Sequence, residues 1–330
     1  MFVFYFGSLS AIKVSRQRRK SMNPEYFGIG LITLALILGL TEKKLSFGTF
    51  RFANLIYVIG IFAIVPYCIW WLWGNNVGPT ELTLFVVMFS LTGLGTGVGY
   101  HRLETHGSFK TKPSIEAFFL ILGAMGLPTG PIDFCVGHYA HHINADKEGD
   151  PHSPRDGFWH SHVGHILRAT PKDLQGKFGQ RLLNDKLVKA IDESKFVWFG
   201  LGLLIPYLIA GWPGLLWGGF IRIAYHNHVT FSVNSICHTF GNRPFDTQDD
   251  SRNNWLIGVL SFGEGFHNNH HAKAKWAYHG LTWWQIDVNG YVIRLLERLG
   301  LAWDVVKPTP EDIQARKKQL KLSPGLTPID

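Results

Sequence analysis

Eight of the chain's 16 histidines fall in three tight boxes, His101-Arg-Leu-Glu-Thr-His106, His138-Tyr-Ala-His-His142 and His267-Asn-Asn-His-His271. In His-x-x-His-His the imidazoles stand at i, i+3 and i+4, neighbours on one helix face, so neutral ring nitrogens can converge on one or two metal ions. The first box differs. Its i, i+5 pair stands about 140° apart on an ideal helix, so His101 and His106 would serve different metals or require the helix to end between them. One box alone is weak, because histidines also cap helices and sit in cores as satisfied polar groups. Three boxes delivered to one side of a membrane read as a metal site. That many nitrogens exceed one ion's coordination and imply two ions, and imidazole suits iron, zinc, copper or nickel alike. A carboxylate-bridged di-iron bundle would carry two Glu-x-x-His motifs, yet only Glu264-Gly-Phe-His267 fits, and no His-Glu-x-x-His zincin helix is present. The three cysteines, Cys68, Cys135 and Cys237, lie too far apart for a paired metal or disulfide framework.

The elements that position these boxes are apolar. Of the 330 residues 46% are hydrophobic and only 17% charged, which excludes disorder. A mean hydropathy of +0.06 is too low for a bundle lying wholly in lipid, so a water-facing part is expected beside a membrane part. A net charge of +8 suits nucleic acid, an anionic lipid surface or a phosphorylated ligand, and the hydrophobic runs favour the membrane over nucleic acid. Met1–Leu9 is apolar and precedes its basic residues, the reverse of a signal peptide; translation could also start at Met22. Tyr26–Leu40 is too short to cross and reads as interfacial. Ala53–Trp73, ending in Trp70, Trp71 and Trp73, and Leu82–Tyr100, with Gly93, Gly95 and Gly97 for close packing, form one hairpin. Val197–Ala210 and Gly211–Ser232 form a second, turning at Gly211-Trp-Pro-Gly214. Ile115–Leu127 is partly embedded, and residues 133–195 and 238–330 form a polar cap. With the basic N-terminus in the cytoplasm, two crossings and then two more return the chain there, so all the boxes face the cytoplasm. The fold class expected is therefore an all-α, multi-pass integral membrane protein with about four transmembrane helices in two hairpins and a helical cytosolic cap.

As a set, these residues resemble the membrane fatty acyl desaturase family of histidine-box enzymes. The likeness runs from about residue 50 to 305. Besides the boxes it includes Asp150-Pro-His152 leading to Gly157-Phe-Trp and Ser161-His-Val-Gly164, then Asn234-Ser-Ile-Cys-His238, Gly241-x-Arg-Pro244 and Gly263-Glu-Gly-Phe-His267. The resemblance implies two iron ions and O2 as co-substrate, with His101, His106, His138, His141, His142, His267, His270 and His271 as ligands, His238 as a ninth, and Asn234 reaching one iron through water. It divides the chain into a basic extension over 1–49, a desaturase domain over 50–306 and a cytosolic tail over 307–330. The tail is expected to be a helix with an unstructured end. Box spacing and the Asn234–His238 segment resemble the branch acting near carbon 9 of a saturated acyl chain, on a lipid or on coenzyme A. Asp150 and Glu264 are candidates to orient ligand imidazoles, or else structural salt-bridge partners. Glu104, Gly107 and Tyr139 depart from the family's commoner residues beside the first two boxes, an arginine being usual at 107 and 139. This bears on how a charged acyl carrier is held. His160, His162, His165, His226 and His228 read as structural, and His152 and His279 as surface residues or neighbours of the ligands.

The reaction makes physical sense of this assignment, since attack on an unactivated methylene needs an oxidant stronger than any side chain and a dry tunnel that keeps water from it. A di-iron hydroxylase on the same scaffold is the nearest alternative, and a histidine-rich transporter a distant one, because transporters place ligands near the bilayer midplane. The cysteines form no cluster, and neither a Gly-x-Gly-x-x-Gly fingerprint nor a fused cytochrome b5 domain is present. A separate electron donor, ferredoxin or cytochrome b5, is thus expected as partner alongside the fatty acyl substrate and membrane lipid.

Overall fold

The structure is a computed structural model, describing residues 47–72, 77–168, 174, 176–177 and 179–321. Tyr26–Leu40 and Trp73 lie outside the described residues, as does the tail beyond 321. Helix α1 (Phe47–Leu72) precedes α2 (Pro79–Leu94). The start of α2 is written in its sequence: Pro79 occupies the first turn, where its missing N–H costs nothing, and the Glu81 carboxylate accepts the Gly78 amide at 2.9 Å. Without interruption α2 becomes a π-helix over Gly95–Thr105. A two-residue strand β1 (Lys110–Thr111), α3 (Pro113–Ala124) and α4 (Pro131–Asn144) follow. Then come the short α5 (Phe158–His162) and α6 (Gln180–Asn184), and α7 (Lys186–Glu193). Helix α8 (Lys195–Gly214), a π-helical stretch (Leu215–Ile221) and α9 (Arg222–Ser235) form one apolar run.

Among the described residues two stretches are long and apolar enough to cross a membrane, Pro79–Thr105 and Lys195–His238. The sequence leads one to expect four. Part of the difference is local: Ala210 (φ −139°, ψ 23°) and Gly211 (φ 58°, ψ −143°) leave the helical region where the turn is expected, so the second stretch is two helices joined at a kink. Glycine supplies the left-handed φ at no steric cost. The first expected span falls in α1, of which Asn54–Ile64 is a shorter apolar segment.

The first apolar stretch packs tightly on α3. A Cβ at Gly95 would stand 2.1 Å from the Gly123 amide nitrogen, so the π-helix and α3 touch main chain to main chain. Gly95→Ala is expected to lower stability by ~1–3 kcal/mol or more, as overpacking of a closed interface does; an unchanged melting temperature in detergent would contradict this contact. Tyr100, Leu120, Val136, Leu182 and Val188 then join the π-helix, α3, α4, α6 and α7 in one core. The rest of the cap comprises α10 (Trp255–Leu260), α11 (His267–Ala272), α12 (Val288–Arg298), β2 (Ala302–Trp303) and α13 (Pro310–Lys321). Strand β2 pairs antiparallel with β1 in the register Lys110↔Trp303. The tail is not loose at its start, for Ile313 of α13 packs on Phe245, Ala272 and Trp276.

Candidate metal centre

The π-helix resolves the first box. Its i→i+5 winding gives the bond from the His106 amide to the His101 carbonyl (3.2 Å) and brings the two rings to 4.8 Å. The helix ends at Thr105, between the pair, but both imidazoles enter one cluster rather than two. In α4 and α11 the boxes divide by helical angle. Residues i and i+4 lie about 40° apart and go together, whereas adjacent residues differ by about 100° and face opposite sides. One cluster therefore holds His101, His106, His138, His142 and His270, and the other His141, His238, His267 and His271.

In the first cluster four Nε2 atoms close a ring, His101–His138 at 2.8 Å, His138–His142 at 2.9 Å, His142–His270 at 2.8 Å and His270–His101 at 3.1 Å. A square of that edge has its centre about 2.1 Å from every corner, the length of an imidazole–metal bond. The His106 ring stands 4.7–5.1 Å from all four, and its Nε2 is buried without a hydrogen-bond partner. In the second cluster the His267 and His271 Nε2 atoms are 3.1 Å apart, and those of His141 and His238 are buried and unpartnered. Burial first, then the neighbouring imidazoles, pushes His138, His141, His142, His267 and His270 well below the usual histidine range. Their lone pairs are available at neutral pH, and nitrogen lone pairs facing at these distances repel unless a cation lies between them. The donor set fits a metal.

Carboxylates fix the ring orientations from behind. His141 Nδ1 donates to Asp150 (2.9 Å), His238 Nδ1 to Asp146 (2.7 Å), His271 Nδ1 to Asp249 (2.9 Å), and His101 Nδ1 to Glu264. A proton held on Nδ1 leaves the lone pair on Nε2, aimed at the cluster. Burial alone would raise the Asp249 and Glu264 carboxyls, but His271 beside the first, and Arg102 with His101 beside the second, hold both below the usual range. Asp150 also accepts the amides of Asp146 (2.9 Å) and His152 (3.0 Å). Glu264 is in addition ion-paired, accepting Arg102 (2.9 Å) and the Asn289 side chain (2.7 Å). It therefore touches both a box imidazole and a buried arginine. Asp146, Asp249, Arg102, Asp287 and Asn289 escape sequence reasoning. Asp146 could have been suspected from its place one turn past the second box, where its φ of 59° aims the carboxylate back at His238; the others carry no local signal. Asp150→Asn is expected to reduce metal retention by the four-histidine cluster about 10–100-fold, with the five-histidine cluster spared. Metal content per chain after dialysis measures it, and equal loss from both clusters would refute the division.

A mostly apolar cavity of about 670 Å³ reaches this centre, lined by Phe89, Leu127, Phe134, Phe231 and Phe262 and by His101, His138, His267 and Asn234. It lies within the size range of small-ligand pockets. Asn234 faces it one turn before His238. Of the remaining histidines, His162 bonds Ser235 (2.9 Å) and His228 (3.1 Å), His226 bonds Thr96 (3.2 Å), and His165 bonds the His160 carbonyl (3.3 Å). His152 and His279 are buried beside the clusters, their rings 4.4 Å from His141 and 4.5 Å from His270. Of the departures, buried Glu104 accepts Arg181 (3.1 Å), so an arginine arrives here from α6; Tyr139 lies 6.3 Å from His106, and Gly107 has a left-handed φ of 56°.

Comparison with known proteins agrees with this geometry. The profile described as fatty acid desaturase matches residues 80–286. The sn-1 stearoyl-lipid 9-desaturase of Anabaena variabilis is 37% identical over 268 residues, 80% of this chain and 95% of its own. The hex-5-enoyl-(acyl-carrier protein) acetylenase of Moorena producens is 37% identical over 297 residues, 83% and 91% of the two chains. The delta-9 acyl-lipid desaturase 1 of Arabidopsis thaliana is 39% identical over 239 residues, 69% and 76%. With a match across more than half its length and metal-competent histidine clusters at the head of an apolar cavity, the chain belongs to the fatty acid desaturase family and is an oxidoreductase of that kind.

Proposed function

We propose that the chain binds two iron ions and, with O2 and two electrons from a separate donor, ferredoxin or cytochrome b5, inserts a cis double bond near carbon 9 of a saturated acyl chain. The observation that carries the reading is the closed ring of four Nε2 atoms at the head of the apolar cavity. Iron supplies the oxidising power that side chains lack. His101, His106, His138, His142 and His270 hold one ion; His141, His238, His267 and His271 hold the other, with Asn234 contributing through water. Asp146, Asp150, Asp249 and Glu264 keep the ligand protons on Nδ1. Phe89, Phe231 and Phe262 hold the acyl chain and exclude water, which would otherwise quench the oxidant.

The membrane arrangement belongs to the same proposal. At 1.5 Å per residue the 44-residue stretch Lys195–His238 would be about 66 Å if straight, twice a hydrocarbon core. Broken at Ala210–Gly211, it makes two crossings. With α1 and α2 this gives four spans over a desaturase unit of residues 50–306, and all the boxes on the cytoplasmic side. Carbon-9 selectivity is supported by the likeness to the stearoyl-lipid 9-desaturase of Anabaena variabilis and the delta-9 acyl-lipid desaturase 1 of Arabidopsis thaliana. Expression in a host lacking unsaturated fatty acids, followed by gas chromatography and mass spectrometry, should give a Δ9 monoene. Hydroxylated chains would identify the sister reaction instead, and an unchanged lipid profile from iron-loaded protein supplied with a donor would defeat the proposal.

A further inference from the structure

Helix α12 carries a face that neither the core nor the metal centre uses. Its inner side is committed: Ile293 is fully buried in a cluster with Val98 and Leu103 of the π-helix and Phe119 of α3. The helix is thereby docked on the end of the first apolar stretch, at the level where that stretch enters the cap. On its outer side Tyr291, Leu295 and Leu299 are 48%, 55% and 62% exposed, and at i, i+4 and i+8 they form one stripe. Arg294 and Arg298, each one residue before a leucine of the stripe, run along a single flank of it. The turn before α12 adds Trp283, 92% exposed. A contiguous apolar stripe rimmed by cations marks an interaction surface, and with tryptophan beside it the pattern is that of a helix lying in the plane of a membrane interface.

The arginine flank opens on a cleft of about 680 Å³, lined by Tyr278, Arg294, Glu297, Arg298 and Lys307 among others. Lys307 is neutralised by Glu297 at 2.8 Å. Among the described residues neither arginine has a carboxylate partner. The Arg294 guanidinium lies 4.9 Å from the Tyr278 ring centroid, and the Tyr278 hydroxyl is buried without a hydrogen-bond partner. Two uncompensated guanidinium forks and a phenol at one cleft match a phosphate, and the adjoining apolar stripe matches acyl chains. We propose that α12 and the cleft beside it form a binding site for an anionic phospholipid, its phosphate held by Arg294 and Arg298 and its chains lying along Leu295 and Leu299. The site rests on the membrane reading given above and is separate from the acyl cavity.

The test is native mass spectrometry of the full chain released from nanodiscs made of equal parts phosphatidylglycerol and phosphatidylcholine. Wild type should retain phosphatidylglycerol in preference. Arg294→Gln/Arg298→Gln should reduce that preference by about fivefold per arginine, while Arg294→Lys/Arg298→Lys keeps most of it. Lys110→Gln, which removes a cation paired with Asp304, should leave it intact. An unchanged preference in the double glutamine variant overturns the site, and so does displacement of the lipid by millimolar inorganic phosphate, which would make it a free-anion site. Retention of both lipids without preference defeats this proposal alone, whereas release with no lipid of either kind defeats the membrane reading beneath it.

Discussion

Replacing His270 by alanine is expected to abolish product formation and to lower iron from two ions per chain to one. His270 is wholly buried, and its Nε2 forms two edges of the four-nitrogen ring, to His101 and His142. Removing it leaves three corners and an empty volume where the fourth stood, so the loss should exceed the ~10–100-fold that removal of a mere supporting partner costs. The four-histidine cluster keeps all its nitrogens, which is why one ion should remain. Iron quantified per folded chain, together with product analysis, checks both halves. A His270→Ala protein that retained two ions and wild-type turnover would sink the five-histidine assignment.

Arg102→Met is expected to cost the fold more than any other single side-chain change near the centre. Arg102 is fully buried, and its guanidinium donates to Glu264 Oε1 (2.9 Å), Asp287 Oδ1 (2.8 Å) and Oδ2 (3.0 Å), and the Ala277 carbonyl (2.8 Å). Removing it leaves two buried carboxylates without their cation, a change that costs about 3–5 kcal/mol in comparable sites. The damage should also reach the metal, because Glu264 would be free to turn away from His101. Arg102→Lys keeps the charge but offers a point donor where a planar fork serves four acceptor atoms on three residues, so it should fall between methionine and wild type. Thermal unfolding and iron retention in detergent read the two effects. Wild-type stability in Arg102→Met would show that the network contributes nothing.

Sequence spacing made the histidine boxes legible because chemistry and helical period coincide there. It also located the kinked turn at Gly211. Which imidazole joins which cluster was less accessible. The second and third boxes divide by an angle any helix dictates, but the first depends on π winding over Gly95–Thr105, and nothing in Gly-Thr-Gly-Val-Gly-Tyr-His distinguishes five-residue from four-residue hydrogen bonding. The carboxylates illustrate the other limit. Asp150 sits near its partner in sequence, nine residues from His141, whereas Asp249 and Asp287 reach theirs through loops whose course is decided by tertiary packing. Arg102 lies inside a box, yet its role is not legible there, since it depends on Asp287, 185 residues away.

The facing lone pairs of the histidine ring bear on the life of the protein in a cell. Buried imidazoles with Nε2 atoms 2.8–3.1 Å apart gain from a cation in their midst, so metal binding would add directly to the stability of the cap. A chain made while metal is scarce would lack that stabilisation, unfold more often and meet proteases and chaperones in that state. The abundance of the protein would then follow metal supply through turnover alone, with no dedicated sensor.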